Sequence, residues 1–479
     1  MVGVIFLFLA HSRGPLVGMF VATVLFCAWT IGTRAAGRSR SIAIAGLSVL
    51  LVAMALGIAF RNAPFVQSIP GVSRLAHISP DDPTTRVRVV SAGIAWKGFT
   101  RRPALGWGLN SYSYLYTKYF DPANLTTDVR FSDKAHNVYA GLLAEQGLLG
   151  FAAYGLLIGY LISLLRPRRS AQERVLLCGL IGYLIQNAFA FDTPGSETLA
   201  VLLMGLITAR DKRGWSLSSV PTAAIRTAAA TLLVCVLGHG VLLARSMSEA
   251  RPAAKLAYGL WRGEMDARTT GVALTEFLGR HSFMEREVLN ELTRTGLSRM
   301  ESDRDGLVLE RALYQAVETN LAGRPTDYQT GIRLLQLSSS LASRDPRYSG
   351  TFEATLPRVI AMGPSRPEAY LLAGEHAFRL GELEEGRRQY ERAANLNPKF
   401  AFPSWALGRE LVEAGRAAEA KPWIETALRN HFDYRSPGGL TTLIRLYHAV
   451  GDTARAREYA QVAARAFPSV LDSTIEIGD

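Results

Sequence analysis

The residues best suited to chemistry are one histidine and three arginines in the first third of the chain. His136 stands directly before an apolar run, where a neutral imidazole can accept a proton near neutral pH. Arg13 lies between two apolar stretches, where a cation needs an anionic partner. Arg86 and Arg88 open an amphipathic segment, and a guanidinium group binds phosphate through two parallel hydrogen bonds. The set predicts a base and phosphate-binding cations at one membrane surface.

Each of these residues also has a simpler interpretation. His136 could be an interfacial histidine that only faces water at the start of a helix. Arg13 could extend to lipid headgroups, and Arg86 and Arg88 could be plain interfacial cations. No cluster of metal-ligating residues and no Ser–His–Asp arrangement stands out, so we expect no metal and no cofactor.

The segment between these residues contains glycines and aromatic side chains. A lone GxG at Gly106 and Gly108 is a weak phosphate-loop signal, and a tight backbone turn is the favoured interpretation. Glu145, inside the helix after His136, is expected to cap or orient polar neighbours. The aromatic side chains predict a membrane-interface belt, with stacking on sugar rings as the alternative; they are Trp96, Trp107, Tyr112, Tyr114, Tyr116 and Tyr119.

The 479-residue chain changes character near Ala244. Apolar runs dominate before that point, and Ala/Leu alternating with Glu/Arg follows it, as in soluble helices. The net charge of +12 could suggest nucleic acid, but no nucleic-acid motif accompanies it and many cations lie in short loops between apolar runs. The predicted membrane spans are Leu16–Ile31, Ile42–Phe60, Leu148–Leu165, Val175–Phe191, Leu199–Thr208 and Ala228–Leu243, with Met1–Leu9 as part of another.

The short basic loops orient these spans. Cytoplasmic loops of membrane proteins carry an excess of Lys and Arg, whereas long loops cross the membrane regardless of charge. We therefore expect the large loop 61–135 and everything after Ala244 on the outer face of the membrane. The cations that place the short loops inside are Arg34, Arg38, Arg40, Arg166, Arg168, Arg169, Arg210, Lys212 and Arg213.

The C-terminal half contains an internal repeat. Gly374, Gly381 and Ala393 recur 34 residues later as Gly408, Gly415 and Ala427. Small residues at this period resemble the tetratricopeptide repeat, in which two helices cross closely. The sequence therefore predicts an all-α chain: a multi-span membrane domain at 1–245, a helical, repeat-like region at 246–365 and a tetratricopeptide solenoid at 366–479. A solenoid of this kind offers a concave surface to a protein partner.

The membrane half resembles the O-antigen ligase and polymerase superfamily of bacterial membrane glycosyltransferases. The resemblance covers roughly Met1–Ala209 and rests on Ser12-Arg13-Gly14 at a span entrance, Pro103-x-x-Gly106-x-Gly108, His136-Asn137 and Glu145-Gln-Gly-Leu-Leu-Gly150. It implies a glycan donor on undecaprenyl pyrophosphate and a lipid, glycan or protein acceptor.

The resemblance also implies a role for each candidate residue. His136 would remove the proton of the acceptor hydroxyl, and Arg13 and Arg88 would hold the pyrophosphate, with Arg86 as the alternative to Arg88. Full members have more spans than we count, and the missing part would precede Ser12. Either the start of the sequence is misplaced, or the chain is a fragment, or a separate chain supplies the remaining spans. The alternatives are a polysaccharide polymerase of the same superfamily, a non-catalytic membrane anchor for the repeat scaffold and a transporter.

Overall fold

A computed structural model of the chain describes residues 13–33, 37–68, 82–126, 131–166, 170–190, 193–209, 222–282, 284–297 and 304–467. Every regular element within these ranges is helical, so the all-α prediction is confirmed for them. The N-terminal apolar run and several cations used for orientation lie outside the described residues; those cations are Arg34, Arg168, Arg169, Arg210, Lys212 and Arg213.

The chain divides into two compact units. Residues 1–119 and 127–221 form the first unit, and residues 120–126 and 222–479 form the second. The helices of the first unit are α1 (Arg13–Gly32), α2 (Gly37–Ala59), α3 (Pro64–Gln67), α4 (Pro83–Arg101), α5 (Tyr112–Lys118), α6 (Val138–Ser163), α7 (Ala171–Asn187) and α8 (Pro194–Thr208).

The second unit begins with a long helix and continues as shorter helices. The predicted span Ala228–Leu243 lies inside the first of these, and a 3-10 turn at Pro122–Thr126 also belongs to this unit. Its helices are α9 (Thr222–Arg262), α10 (Ala267–Gly279), α11 (Glu285–Gly296), α12 (Arg304–Gly323), α13 (Tyr328–Ala342), α14 (Arg347–Met362), α15 (Pro367–Arg379), α16 (Leu383–Leu396), α17 (Ala401–Glu413), α18 (Ala417–Arg429), α19 (Pro437–Ala449) and α20 (Thr453–Ala466).

Three helices of the described part are long and apolar enough to cross a membrane: Gly14–Gly32, Gly37–Ala59 and Val138–Ser163. All three begin before the predicted spans, at Gly14, Gly37 and Val138 rather than at Leu16, Ile42 and Leu148. Gly195–Thr208 is apolar but shorter. The chain is therefore a membrane protein, and the other predicted spans stay predictions.

Close backbone packing holds the first unit together. A Cβ added to Gly182 of α7 would lie 3.1 Å from the carbonyl oxygen of Gly18 in α1. Small residues let membrane helices approach in this way, because little hydrophobic driving force exists between helices in lipid. Leu161, Leu180 and Ile207 form a buried cluster where α6, α7 and α8 meet. The packing fixes the start of α1 against the end of α7.

Consecutive helices of the second unit pack in pairs, α15 with α16, α17 with α18 and α19 with α20. The turn inside each pair has a residue at positive φ: Gly381, Gly415 or Gly451. A Cβ at Gly374 would lie 2.7 Å from the ring of Tyr390, so the helices of that pair pack closely at this glycine.

Candidate active site at the start of helix α6

The sequence places an asparagine where helix α6 begins. The side-chain Oδ1 of Asn137 accepts a hydrogen bond from the amide of Ala140 at 3.0 Å, which caps the helix. Capping satisfies an amide that has no partner within the helix. The prediction that His136-Asn137 opens a helix is therefore confirmed. This cap fixes the backbone of Asn137 and so restricts the position of His136, the residue before it.

His136 has an unusual backbone conformation. Its φ is 52°, in the left-handed region that non-glycine residues seldom adopt. The side chain is half-buried. Burial lowers the pKa of His136 most, the positive charge of Arg88 lowers it further, and the carboxylate of Asp133 raises it. The imidazole is therefore mostly neutral at neutral pH and able to accept a proton.

Two side chains fasten the start of α6 to the end of α7. Asn137 donates from Nδ2 to the carbonyl oxygen of Ala188 at 3.0 Å, and the hydroxyl of Tyr139 donates to the carbonyl oxygen of Leu184 at 2.6 Å. Because these carbonyls end a helix, side chains are their natural partners. His136 is thereby held at this end of α7.

The start of α1 lies at the same end of α7. A Cβ at Gly14 would lie 3.2 Å from Cβ of Phe189 and 3.4 Å from the carbonyl oxygen of Gln186. Arg13, the residue before Gly14, is the first residue of α1, and its side chain lies outside the described residues. The backbones of Arg13 and His136 therefore both lie near the end of α7.

Helix α4 carries the other two arginines. Arg88 is half-buried and close enough to His136 to lower its pKa, whereas Arg86 is exposed. The sequence left these two arginines as close alternatives. Of these two arginines, Arg88 is the one whose charge acts on the pKa of His136.

A tight turn after α4 forms backbone hydrogen bonds with a break in α6. Gly147 has φ 65° inside α6, and the amides of Leu148 and Leu149 donate to the carbonyl oxygens of Pro103 and Ala104 at 2.7 and 3.2 Å. In return the amides of Trp107 and Gly108 donate to the carbonyl oxygens of Ala144 and Glu145 at 3.1 and 2.8 Å. Backbone groups that a kinked helix would leave unpaired are thus satisfied by the turn.

Gly106 is required because of this exchange of hydrogen bonds. Its φ is 67°, and a Cβ there would lie 2.6 Å from the amide nitrogen of Gln146. The interpretation of Gly106 and Gly108 as a tight backbone turn is confirmed. The Gly106-x-Gly108 turn therefore packs against the break at Gly147 in α6, and this contact explains its glycines without a phosphate.

Glu145 orients the chain that follows the turn. Its Oε1 accepts from the amide of Tyr112 at 3.1 Å, at the first residue of α5. The Tyr112 hydroxyl donates to the carbonyl oxygen of Ser91 in α4 at 2.8 Å, and burial raises the pKa of Tyr112. The expectation that Glu145 orients polar neighbours is confirmed by its hydrogen bond with the amide of Tyr112.

The aromatic side chains do not form one surface belt. Tyr112 and Tyr116 are fully buried between α4, α5 and the turn, so the prediction of an interfacial role is wrong for these two. Trp96 is exposed, and Trp107 is half-buried with its Nε1 donating to the carbonyl oxygen of Gly98 at 2.8 Å. Burial removes Tyr112 and Tyr116 as sugar-stacking surfaces as well.

Two cations lie over the indole of Trp107. The guanidinium carbon of Arg102 is 4.1 Å and Nζ of Lys118 is 5.0 Å from a ring centroid of Trp107. Lys134 also approaches this region, because its Nζ donates to Oδ1 of Asn110 at 3.0 Å. The loop before His136 is thus fixed to the turn after α4, in a positively charged setting that suits an anionic ligand.

Three contacts that organise the site were missed from the sequence: Gly18 with Gly182, Asn137 with Ala188, and the break at Gly147. The first two join segments distant in sequence. The break in α6 could have been suspected from Gly147 in the Glu-Gln-Gly motif. Glycine is common in the apolar helices of membrane proteins, however, so this residue alone does not predict a break. In the described part of the chain, no three His, Cys, Asp or Glu side chains gather to hold a metal ion.

These elements define a helical membrane protein in which a half-buried histidine precedes an apolar helix long enough to cross a membrane. Residues 1–155 match the family model described as O-Antigen ligase. This match covers α1 to most of α6, and it is shorter than the resemblance to Ala209 predicted from the motifs. At the level of the family it supports a membrane glycosyltransferase. No curated protein matches the chain.

Proposed function

We propose that the chain transfers a glycan from undecaprenyl pyrophosphate to an acceptor hydroxyl at the outer face of the cytoplasmic membrane. The observation that carries the proposal is the half-buried His136, whose pKa is lowered beside Arg88. Both residues lie in the part of the chain that matches the O-antigen ligase family. A base and a cation at one membrane surface suit a reaction that deprotonates a hydroxyl and releases a diphosphate.

His136 is the general base in this proposal. A ring nitrogen of the neutral imidazole takes the proton of the acceptor hydroxyl as the hydroxyl oxygen bonds to the anomeric carbon. The bond from that carbon to the pyrophosphate oxygen breaks, and its electron pair leaves with undecaprenyl pyrophosphate. The proton on His136 passes to solvent, which restores the base. General-base catalysis of this kind contributes about 10²–10⁴-fold to rate.

The arginines bind the leaving group. In this proposal the pyrophosphate is bound by Arg88 and the exposed Arg86 of α4, together with Arg13, the first residue of α1. Guanidinium groups stabilise the negative charge that develops on the diphosphate as it leaves. Because burial and the charge of Arg88 together lower the pKa of His136, this one cation contributes to both halves of the reaction.

The remaining assignments complete the proposal. The segment 61–135 and the chain after Ala244 lie outside the cytoplasm, the membrane is the bacterial inner membrane, and α15–α20 are tetratricopeptide repeats that bind a protein partner. Paired helices with glycine turns at a period of about 34 residues support the repeat assignment.

The test is transfer by purified protein in liposomes. The liposomes contain an undecaprenyl pyrophosphate-linked oligosaccharide and an extracted lipopolysaccharide core as the acceptor. Release of undecaprenyl pyrophosphate and the mass of the product are measured for wild type, His136→Gln and Arg88→Gln. The control is Arg101→Gln, an exposed arginine at the other end of α4.

We expect wild type and Arg101→Gln to release undecaprenyl pyrophosphate, and the other two variants to lose at least about 100-fold in rate. A single added glycan supports the ligase assignment, whereas a ladder of products assigns the chain to the polymerases. Equal rates for His136→Gln and wild type, with both proteins folded, contradict the proposal and favour the non-catalytic scaffold.

A further inference from the structure

A short piece of the loop before His136 belongs to the second unit. Phe120–Thr126 packs with that unit, while the chain up to Tyr119 and from Thr127 belongs to the first unit. The backbone therefore crosses from one unit to the other and back within seven residues. Such a crossing needs contacts strong enough to hold the segment against its entropy.

Phe120 makes the first of these contacts. Its side chain is only 3% exposed, and the guanidinium carbon of Arg366 lies 4.5 Å from its ring centroid. Arg366 is itself 3% exposed, pairs with the carboxylate of Glu368 and lies 5.1 Å from the ring of Tyr328. A desolvated guanidinium on an aromatic face is among the stronger forms of this interaction.

Asn397 makes the second contact. Its Nδ2 donates to the carbonyl oxygen of Pro122 at 2.8 Å, and its Oδ1 accepts from the amide of Lys399 at 3.0 Å. Asn397 ends α16 and is 8% exposed, so its amide group would be left without a partner if the segment moved away. The 3-10 turn adds order, because the amide of Asn124 donates to the carbonyl oxygen of Asp121.

We propose that the repeat helices position the loop of the proposed active site, with Phe120, Arg366 and Asn397 as the positioning residues. His136 follows Thr126 by ten residues, which limits their separation to about 35 Å. On the other side, Tyr112 is buried in the first unit eight residues before Phe120. A partner that binds the repeats can therefore act on the loop without touching the reacting atoms.

The consequence for transfer rests on the proposed function, but the docking of the segment does not. Hydrogen exchange tests docking directly in the full chain, with the peptide that covers Phe120–Thr126 as the reporter. The variants are Phe120→Ala, which lies outside the repeat helices, and Asn397→Ala. The matched control is Asn430→Ala: Asn430 also donates to a proline carbonyl, that of Pro398 at 2.7 Å, but within the repeats.

We expect exchange in the reporter peptide to rise about fivefold in Asn397→Ala, from the loss of one buried hydrogen bond, and more in Phe120→Ala. Asn430→Ala leaves this peptide unchanged. Unchanged exchange in both test variants overturns the proposal, and so does an equal rise in the control.

Transfer is measured on the same proteins. We expect release of undecaprenyl pyrophosphate to fall several-fold in Phe120→Ala and Asn397→Ala and to stay at wild-type level in Asn430→Ala. Undiminished transfer in variants with a released segment overturns the positioning role. Full transfer by His136→Gln, by contrast, contradicts the proposed function and leaves the exchange result standing, so the two failures are distinguishable.

Discussion

Gly106 and Gly147 meet backbone to backbone: a Cβ at residue 147 would lie 2.7 Å from the amide nitrogen of Gly106. The turn after α4 and the break in α6 are therefore a single structural unit. His136 lies at the start of α6 and Arg88 lies on α4. The contact between the turn and the break therefore helps to set the distance between the proposed base, His136, and the arginine proposed to bind pyrophosphate, Arg88.

Gly147→Ala is expected to destabilise the first unit by at least about 2 kcal/mol. The cost combines a left-handed backbone with a Cβ pressed against the turn. The measurement is the thermal midpoint of the detergent-purified protein, together with transfer activity. Gly159→Ala on the same helix is the control, since open space surrounds Gly159. A normal midpoint for Gly147→Ala would show that the turn does not dock as described.

Gly18→Ala is expected to force α1 away from α7 and to lower stability by about 1–3 kcal/mol. The added methyl group would press on backbone of Gly182, which has no rotamer to relieve it. Transfer should fall too, because Arg13, a proposed pyrophosphate-binding residue, is the first residue of α1. Gly32→Ala, where nothing lies within 4 Å, is the control for thermal midpoint and activity. Equal behaviour of the two variants argues against the α1–α7 contact.

The pH at which activity falls on the acid side of the pH–rate profile (the acid limb) should depend on the charged groups around His136. A base with a lowered pKa stays neutral, and therefore active, as pH falls until that pKa is reached. Asp133→Asn removes a negative charge that raises the pKa, so the limb should move to lower pH. Arg88→Gln removes a positive charge that lowers it, so the limb of the residual activity should move to higher pH. Shifts in the same direction in both variants would exclude His136 as the titrating group.

Much of this arrangement could be predicted from the sequence, and the limits have physical reasons. Asn137 before an apolar run predicts a capped helix, and Gly374 with its 34-residue repeat predicts a close crossing. An aromatic residue in a polar loop has the same local pattern whether it faces lipid or packs inside, so the sequence predicts an interfacial position for Tyr112 and Tyr116, which the fold buries. The assignment of Phe120–Thr126 to the second unit depends on contacts more than 200 residues apart, for which a single sequence carries no signal.

The orientation of the loop makes a separate prediction. Leu109 is 74% exposed in the turn before α5, and Arg38 is exposed at the start of α2. A membrane-impermeant maleimide applied to intact spheroplasts should label Leu109→Cys, whereas Arg38→Cys should react only after permeabilisation. The wild-type chain gives the background from its own cysteines. Labelling in the opposite order would place the proposed site in the wrong compartment for its donor.

The most direct measurement is the single-turnover rate of glycan transfer by His136→Gln at saturating lipid-linked donor. Glutamine keeps a polar side chain at this position but cannot take up a proton, so we predict a fall of about 10²–10⁴-fold with normal folding and donor binding. A rate within about twofold of wild type would contradict general-base catalysis by His136, and with it the proposed mechanism.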